Sequence, residues 1–398
     1  MSAIFPFAAL RPEPRIAARV AAVPYDVVST EEARALAEGN PLSFLHVSRP
    51  EIDLPPGTDP HADAVYGRAA ENFAALKRTA PLVVEDAPAL YVYRLHMGDH
   101  TQSGIAACFS LDEYDRNDIR KHEKTRPDKE DDRTRHMLAI AAQTGPVFLT
   151  YRASAAIDAA MSRVENTAPL FDFTAPDHVR HVLWRVPATE MPPVVEGFAA
   201  IPVLYIADGH HRAASAARAR KTLSANGAGE WDRLMAVAFP DNQMQVLPYN
   251  RVIRDLNGHT VDSFVEALRA KAEVRVGGLP SPESKGQIAM RLAGQWYTLD
   301  FGRAETLDVD VLERAVLAPL LGIADVRTDT RIEFVGGIRG TEELERMVDA
   351  GGRAVAFSMY PVSLTDLMRI ADAGGIMPPK STWFEPKLRD GLLSHVIA

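Results

Sequence analysis

Asp208, Gly209, His210, His211 and Arg212 stand side by side, directly after the apolar run Val203 to Ala207. A carboxylate, a glycine, two imidazoles and a guanidinium in five positions are a dense set of chemical groups. The apolar run is short, continuous and preceded by Pro202, which predicts a strand buried on both faces. Asp208-Gly209 is a turn pair, and the Ala-rich stretch from His210 onward favours helix. The spacing therefore places the polar groups between a strand end and the first turn of a helix. Amides there lack intrahelical partners and the helix dipole is positive, so an anion is stabilised. Gly209 lets a ligand approach the backbone, and Arg212 can grip phosphate oxygens with two N–H groups. Asp208 can act as a base or help to hold a metal. The plainer reading is a helix cap, with the histidines solvated.

A second polar cluster lies upstream, Arg120 to Arg133, and contains His122, Glu123, Thr125, Lys129 and Arg133. A mixed-charge run usually forms a solvated loop, here leading into a helix that starts near Asp131. The same groups can also meet an anionic, polar ligand.

The elements that must position these groups alternate between the two periodicities. Ser29 with Glu32 reads as a capping box opening a helix over 31–38, which stops at Gly39-Asn40-Pro41. Residues 44–48 read as a strand and 64–79 as a helix. Residues 89–113 read as a hairpin turning at Met97-Gly98-Asp99. His96 and His100 flank that turn, so their metal-like spacing on a helix does not apply. Strands are expected at 145–151, 181–186, 234–239 and 245–253, with helices near 154–164 and 193–198. Helices at 261–272 and 309–320 and strands near 274–277, 296–301, 332–335 and 354–359 complete the pattern. This alternation predicts a mixed α/β (α+β) fold.

Composition sets limits. The chain has 398 residues, more than one core usually spans, so two or three domains are expected. A net charge of −9 weighs against a broad nucleic-acid surface. The single cysteine, Cys108, sits in an apolar run and excludes a disulfide framework or a multi-cysteine zinc site. No basic-then-apolar leader and no 18-residue apolar run occur, which gives a cytoplasmic expectation. Two glycine-rich stretches mimic phosphate loops. In Gly375 to Thr382, Pro378 and Pro379 carry no N–H, and Gly336 to Gly340 lacks the dinucleotide spacing.

The whole chain resembles the bacterial domain-of-unknown-function family 1015. The resemblance is carried by Val23 to Ser29, Asn40 to Val47, His122 to Thr125 with Lys129 and Asp132-Arg133, and Gly145 to Phe148. Further on it is carried by Ala207 to Arg212, Leu247-Pro248-Tyr249 with Arg251-Val252, and Met377 to Lys387. The Asp-Gly-His-His-Arg centre looks like that of the ParB/sulfiredoxin superfamily, most of all its free-serine kinases. That likeness implies nucleotide phosphates at Gly209, His211 and Arg212, and catalytic work for Asp208, His210 and His211, with Asp208 also on a metal. It further implies a glutamate, for which Glu123, Glu190 and Glu196 are candidates, Glu123 being favoured. Lys129, Arg133 and Lys380 would add positive charge if the fold gathers them. His122, Thr125 and Trp383 are candidate substrate contacts, Trp383 equally a core residue, and structural roles are expected for Asp26 and His46.

The expected organisation is an N-terminal α/β domain (1–152), a ParB/sulfiredoxin-like core (153–255) and a C-terminal α/β domain (256–398). The expected function is a phosphotransferase on a small hydroxylated metabolite, serine-like, with ATP or ADP as donor and Mg²⁺ as cofactor. Two alternatives stay open: a phosphoserine phosphatase or nucleotide hydrolase at the same site, and a nucleotide-gated binder of ParB type. The partners would be a small-molecule substrate and a nucleotide, with no membrane or nucleic acid; a homo-oligomer is compatible with the sequence.

Overall fold

The computed structural model describes residues 2–224, 227–302 and 305–397. The fold is mixed α/β, and the chain divides into two compact units, Met1–Met244 with Pro386–Ala398, and Gln245–Glu385.

The first unit is built on a nine-stranded mixed sheet. Its strands are β1 (Ile4–Phe5), β2 (Tyr91–Met97), β3 (His100–Ser110), β4 (Ile119–Arg120), β5 (Val147–Tyr151), β6 (Phe171–Thr174), β7 (Arg180–Arg185), β8 (Leu204–Asp208) and β9 (Arg233–Pro240). They lie in the order β4-β8-β5-β9-β3-β2-β7-β6, with β1 paired to the end of β3. The pairs β4/β8 and β5/β9 are parallel and the other neighbours antiparallel. All five residues of β5 and the first four of β8 are buried, as their unbroken apolar runs require. Cys108 is fully buried in β3.

This sheet corrects the three-part division. A boundary after 152 separates β5 from β8 and β9, the two strands to which it is hydrogen-bonded. Residues from both sides of that line share one core, including Ile105, Leu149, Ile206 and Ala236.

Helices of this unit are α1 (Thr30–Ala37), α2 (Asp63–Thr79), α3 (Pro127–Ile140), α4 (Ala155–Glu165), α5 (Met191–Ala199) and α6 (His210–Leu223). The capping box of α1 is present, Ser29 accepting the Glu32 amide and Glu32 accepting the Ser29 amide. Helix α3 starts at Pro127, four residues before the expected Asp131, because proline at the first turn gives up no hydrogen bond. Residues 45–48 form a single helical turn instead of the expected strand, one of the short apolar runs that periodicity cannot assign. Leu45 and Phe44 join Val20, Phe73 and Leu76 in a second core.

The second unit has a six-stranded antiparallel sheet. Pro248 splits the expected 245–253 strand in two: Gln245–Leu247 pairs with Trp383–Glu385, and Tyr249–Ile253 enters the sheet. Strand Gln287–Leu292 was not expected, and the helix expected over 309–320 is a short turn, Asp308–Leu312, continued by a π-turn over Glu313–Leu317. Among the described residues no helix is long and apolar enough to cross a membrane.

Candidate functional site

Strand β8 does not run straight into its helix. Ile206 faces Leu149 but Asp208 faces Phe148, so Ala207 is an extra residue, a β-bulge one position before the carboxylate. Bulges of this kind re-aim the following side chain. Gly209 then takes φ +94° and ψ 31°, a left-handed conformation that glycine adopts without strain, and α6 begins at His210. The intrahelical ladder opens with the Ala213 amide on the Gly209 carbonyl, so the amides of 210–212 lie before it.

Asp208 receives two cations on one oxygen, Arg212 at 3.0 Å and Lys387 at 3.4 Å. Burial alone would raise its pKa; Lys387, Arg212 and His210 outweigh that and hold the carboxyl far below the usual range. Both cations are largely buried, whereas the Asp208 side chain keeps 27% exposure. The second terminal nitrogen of Arg212 donates to the Pro146 carbonyl at 2.5 Å. Two largely buried cations thus converge on one carboxylate. Lys387 lies in a stretch that carries the family resemblance, but its separation of 179 residues from Asp208 gave no spacing signal.

His210 is buried, and its Nε2 accepts the backbone N–H of His122 at 3.3 Å. Its Nδ1 lies 4.0 Å from a carboxylate oxygen of Glu123. Desolvation, with His122 beside it, pushes the His210 pKa well down, so the ring is neutral. His122 packs edge-on against it, ring centres 4.4 Å apart, and is also neutral, its pKa lowered by burial to about 4. His211 Nε2 accepts the Arg126 amide at 3.1 Å. The two histidines thus pin the 122–126 segment to the tip of α6, and the upstream cluster does reach Asp208.

Thr125 hydrogen-bonds Glu130. Lys129 lies in the first turn of α3, at intermediate exposure. Arg133 is half-buried, holds Asp132 at 2.7 Å, and lies 4.1 Å over the Tyr25 ring. Of the alternative glutamates, Glu190 pairs with Arg163, while Glu123 is the one beside His210. Lys380 and Trp383 belong to the second unit, where both pack on Tyr249 and Trp383 donates to Glu385. His46 is held by Asp53 at 2.9 Å, a structural pairing.

The donor set does not fit a resident Mg²⁺. Among the described residues no group of three His, Cys, Asp or Glu could hold a metal ion. Asp208 already faces two cations, Arg212 and Lys387.

The structure is similar to a conserved hypothetical protein from Pyrococcus furiosus, with TM-score 0.37 and 15% identity, covering 72% of this chain and 94% of that one. It is similar to a free serine kinase in complex with AMP, with TM-score 0.38 and 14% identity, covering 73% and 91%. It is also similar to SbnI with a C-terminal truncation from Staphylococcus aureus, with TM-score 0.38 and 15% identity, covering 72% and 85%. No curated protein matches the chain. Residues 4–318 match the sequence profile described as "Protein of unknown function (DUF1015)", and the chain belongs to that family.

Proposed function

We propose that this protein is a phosphotransferase that moves a phosphoryl group from a nucleotide to the hydroxyl of a small metabolite. One observation carries the reading: a helix tip with a close-approach glycine, two buried cations, and a carboxylate-imidazole pair beside it. Phosphoryl transfer asks for positioning and charge stabilisation more than for covalent help. Arg212, Lys387 and the first-turn amides of α6 supply that stabilisation.

The roles divide by basicity. Asp208 is too acidic in this setting to take a proton at neutral pH, so it orients Arg212 and Lys387. Glu123 is the general base. His210 uses Nε2 on the His122 amide, which leaves its proton on Nδ1, facing Glu123. The substrate hydroxyl gives its proton to Glu123 as its oxygen bonds to the terminal phosphorus, and the bond from that phosphorus to the nucleotide's bridging oxygen breaks.

The test is incubation of the full chain with L-serine, or a panel of small hydroxylated metabolites, together with ATP or ADP and Mg²⁺, read by ³¹P NMR. A phosphorylated acceptor is expected. Absence of product with every donor removes the reading, and phosphate release that needs no acceptor replaces it with hydrolysis.

A further inference from the structure

Arg212 has a second surface. It lines a partly enclosed cavity of about 40 Å³, together with Tyr25, Arg133, His136, Gln143 and Asp390. Neither the sequence pattern nor the phosphotransferase reading uses this space. One polar group in it is unsatisfied. The Nε of Arg212 is buried without a hydrogen-bond partner. Asp390 is 3% exposed, and among the described residues no basic side chain forms an ion pair with its carboxyl. Buried polar groups normally have partners, so an orphan guanidinium nitrogen at a cavity points to a missing ligand.

Size and charge narrow that ligand. A water needs about 10–15 Å³ measured in this way, so the cavity holds roughly three water-sized atoms. Three heavy atoms make a carboxylate; phosphate has five. Of the groups lining the cavity, Arg133 and Arg212 are cationic and Asp390 is the acid. An anion is therefore favoured over an amine.

We propose that this cavity is a carboxylate-binding site, receiving the acid end of a small organic acid between Arg133 and Arg212. Asp390 responds to the same ligand. Burial pushes its pKa up to about 7 against the opposing Arg212, Arg133 and Arg389 charges, with Asp26 adding to the rise. Across the cavity it also meets Tyr25 and His136, the latter kept neutral by burial. Protonated, Asp390 donates a hydrogen bond to the incoming carboxylate; ionised, it repels it. Binding therefore takes up a proton above neutrality, and it needs no nucleotide, so its failure is distinct from failure of the phosphotransferase reading.

Calorimetric titration of the full chain with formate and acetate, without nucleotide, tests this. Saturable binding is expected, about tenfold tighter at pH 6 than at pH 8. Asp390→Asn keeps the shape and a donor, so it should bind with that pH dependence flattened. A flat titration at both pH values overturns the site. So does inorganic phosphate binding as tightly as acetate, or an unchanged pH dependence in Asp390→Asn.

Discussion

The Nε2 of His210 accepts the main-chain N–H of His122 at 3.3 Å, which fixes the ring's proton on Nδ1, 4.0 Å from Glu123. A neutral imidazole oriented this way steadies a carboxylate without competing for its proton. Glu123→Gln should therefore lower kcat for phosphoryl transfer by about 10²–10⁴ while the KM for the nucleotide changes little. The Glu123 side chain is 39% exposed, so thermal stability should stay within about 0.5 kcal/mol of the parent protein. Steady-state kinetics beside a melting curve measures both, and an unchanged kcat assigns the base elsewhere.

The pairing at Asp208 predicts an asymmetry between its two cations. Arg212 bridges Asp208 and the Pro146 carbonyl, so Arg212→Met strips both, leaving a buried carboxylate with one partner. Breaking a buried pair in this way costs about 3–5 kcal/mol. Lys387→Met leaves the shorter Arg212 contact intact and should cost clearly less. Urea unfolding of the two variants gives the comparison; equal losses would mean that Lys387 carries as much of the charge balance as Arg212.

Much of this site could be read along the chain, because local pattern governs its centre. A buried strand, Asp-Gly and an Ala-rich start specify the strand-to-helix turn, and the structure has it at residues 204–223. The bulge at Ala207 carries no residue signal, since alanine fits either register. Lys387 and Asp390 reach the tip of α6 only because 386–398 rejoins the first unit after a 141-residue excursion over 245–385. Their partners lie too far away in sequence for spacing to reveal them. A sheet whose neighbouring strands are distant in sequence, as β5 is from β8 and β9, hides its own boundary. Arg133 stands in the charged run, and the fold sets it beside Asp132 at 2.7 Å and over the Tyr25 ring.

Acid should loosen this part of the protein. His122 and His136 are buried with pKa values lowered to about 4, against about 6.5 when unfolded. The unfolded chain binds their protons first, so the stability they contribute is present above pH 6.5 and is lost as pH falls towards 4. Each shift corresponds to about 3 kcal/mol. Asp390 acts in the opposite sense: its raised pKa contributes stability at low pH that is lost as pH rises through 7. Unfolding free energies between pH 4 and 8 should fall on the acid side, and His136→Gln should reduce that fall. A slope unaltered by this substitution would place the acid sensitivity in other groups.

Gly209 and Gly98 separate backbone strain from site damage. Both have positive φ, +94° and +58°, so alanine at either costs about 1–2 kcal/mol. Around Gly98 nothing lies within 4 Å of an added methyl, whereas at Gly209 that methyl would sit 2.9 Å from the Arg212 Nε. The guanidinium must move, and with it the contacts to Asp208 and Pro146. Gly98→Ala should thus lower the melting temperature and leave activity intact. Gly209→Ala should cost at least as much stability and also weaken donor binding at the tip of α6, since Arg212 is the group displaced. Nucleotide titration of both variants at a temperature where each is fully folded decides the matter. Equal affinities would show that Arg212 adapts and that its placement does not set phosphate binding.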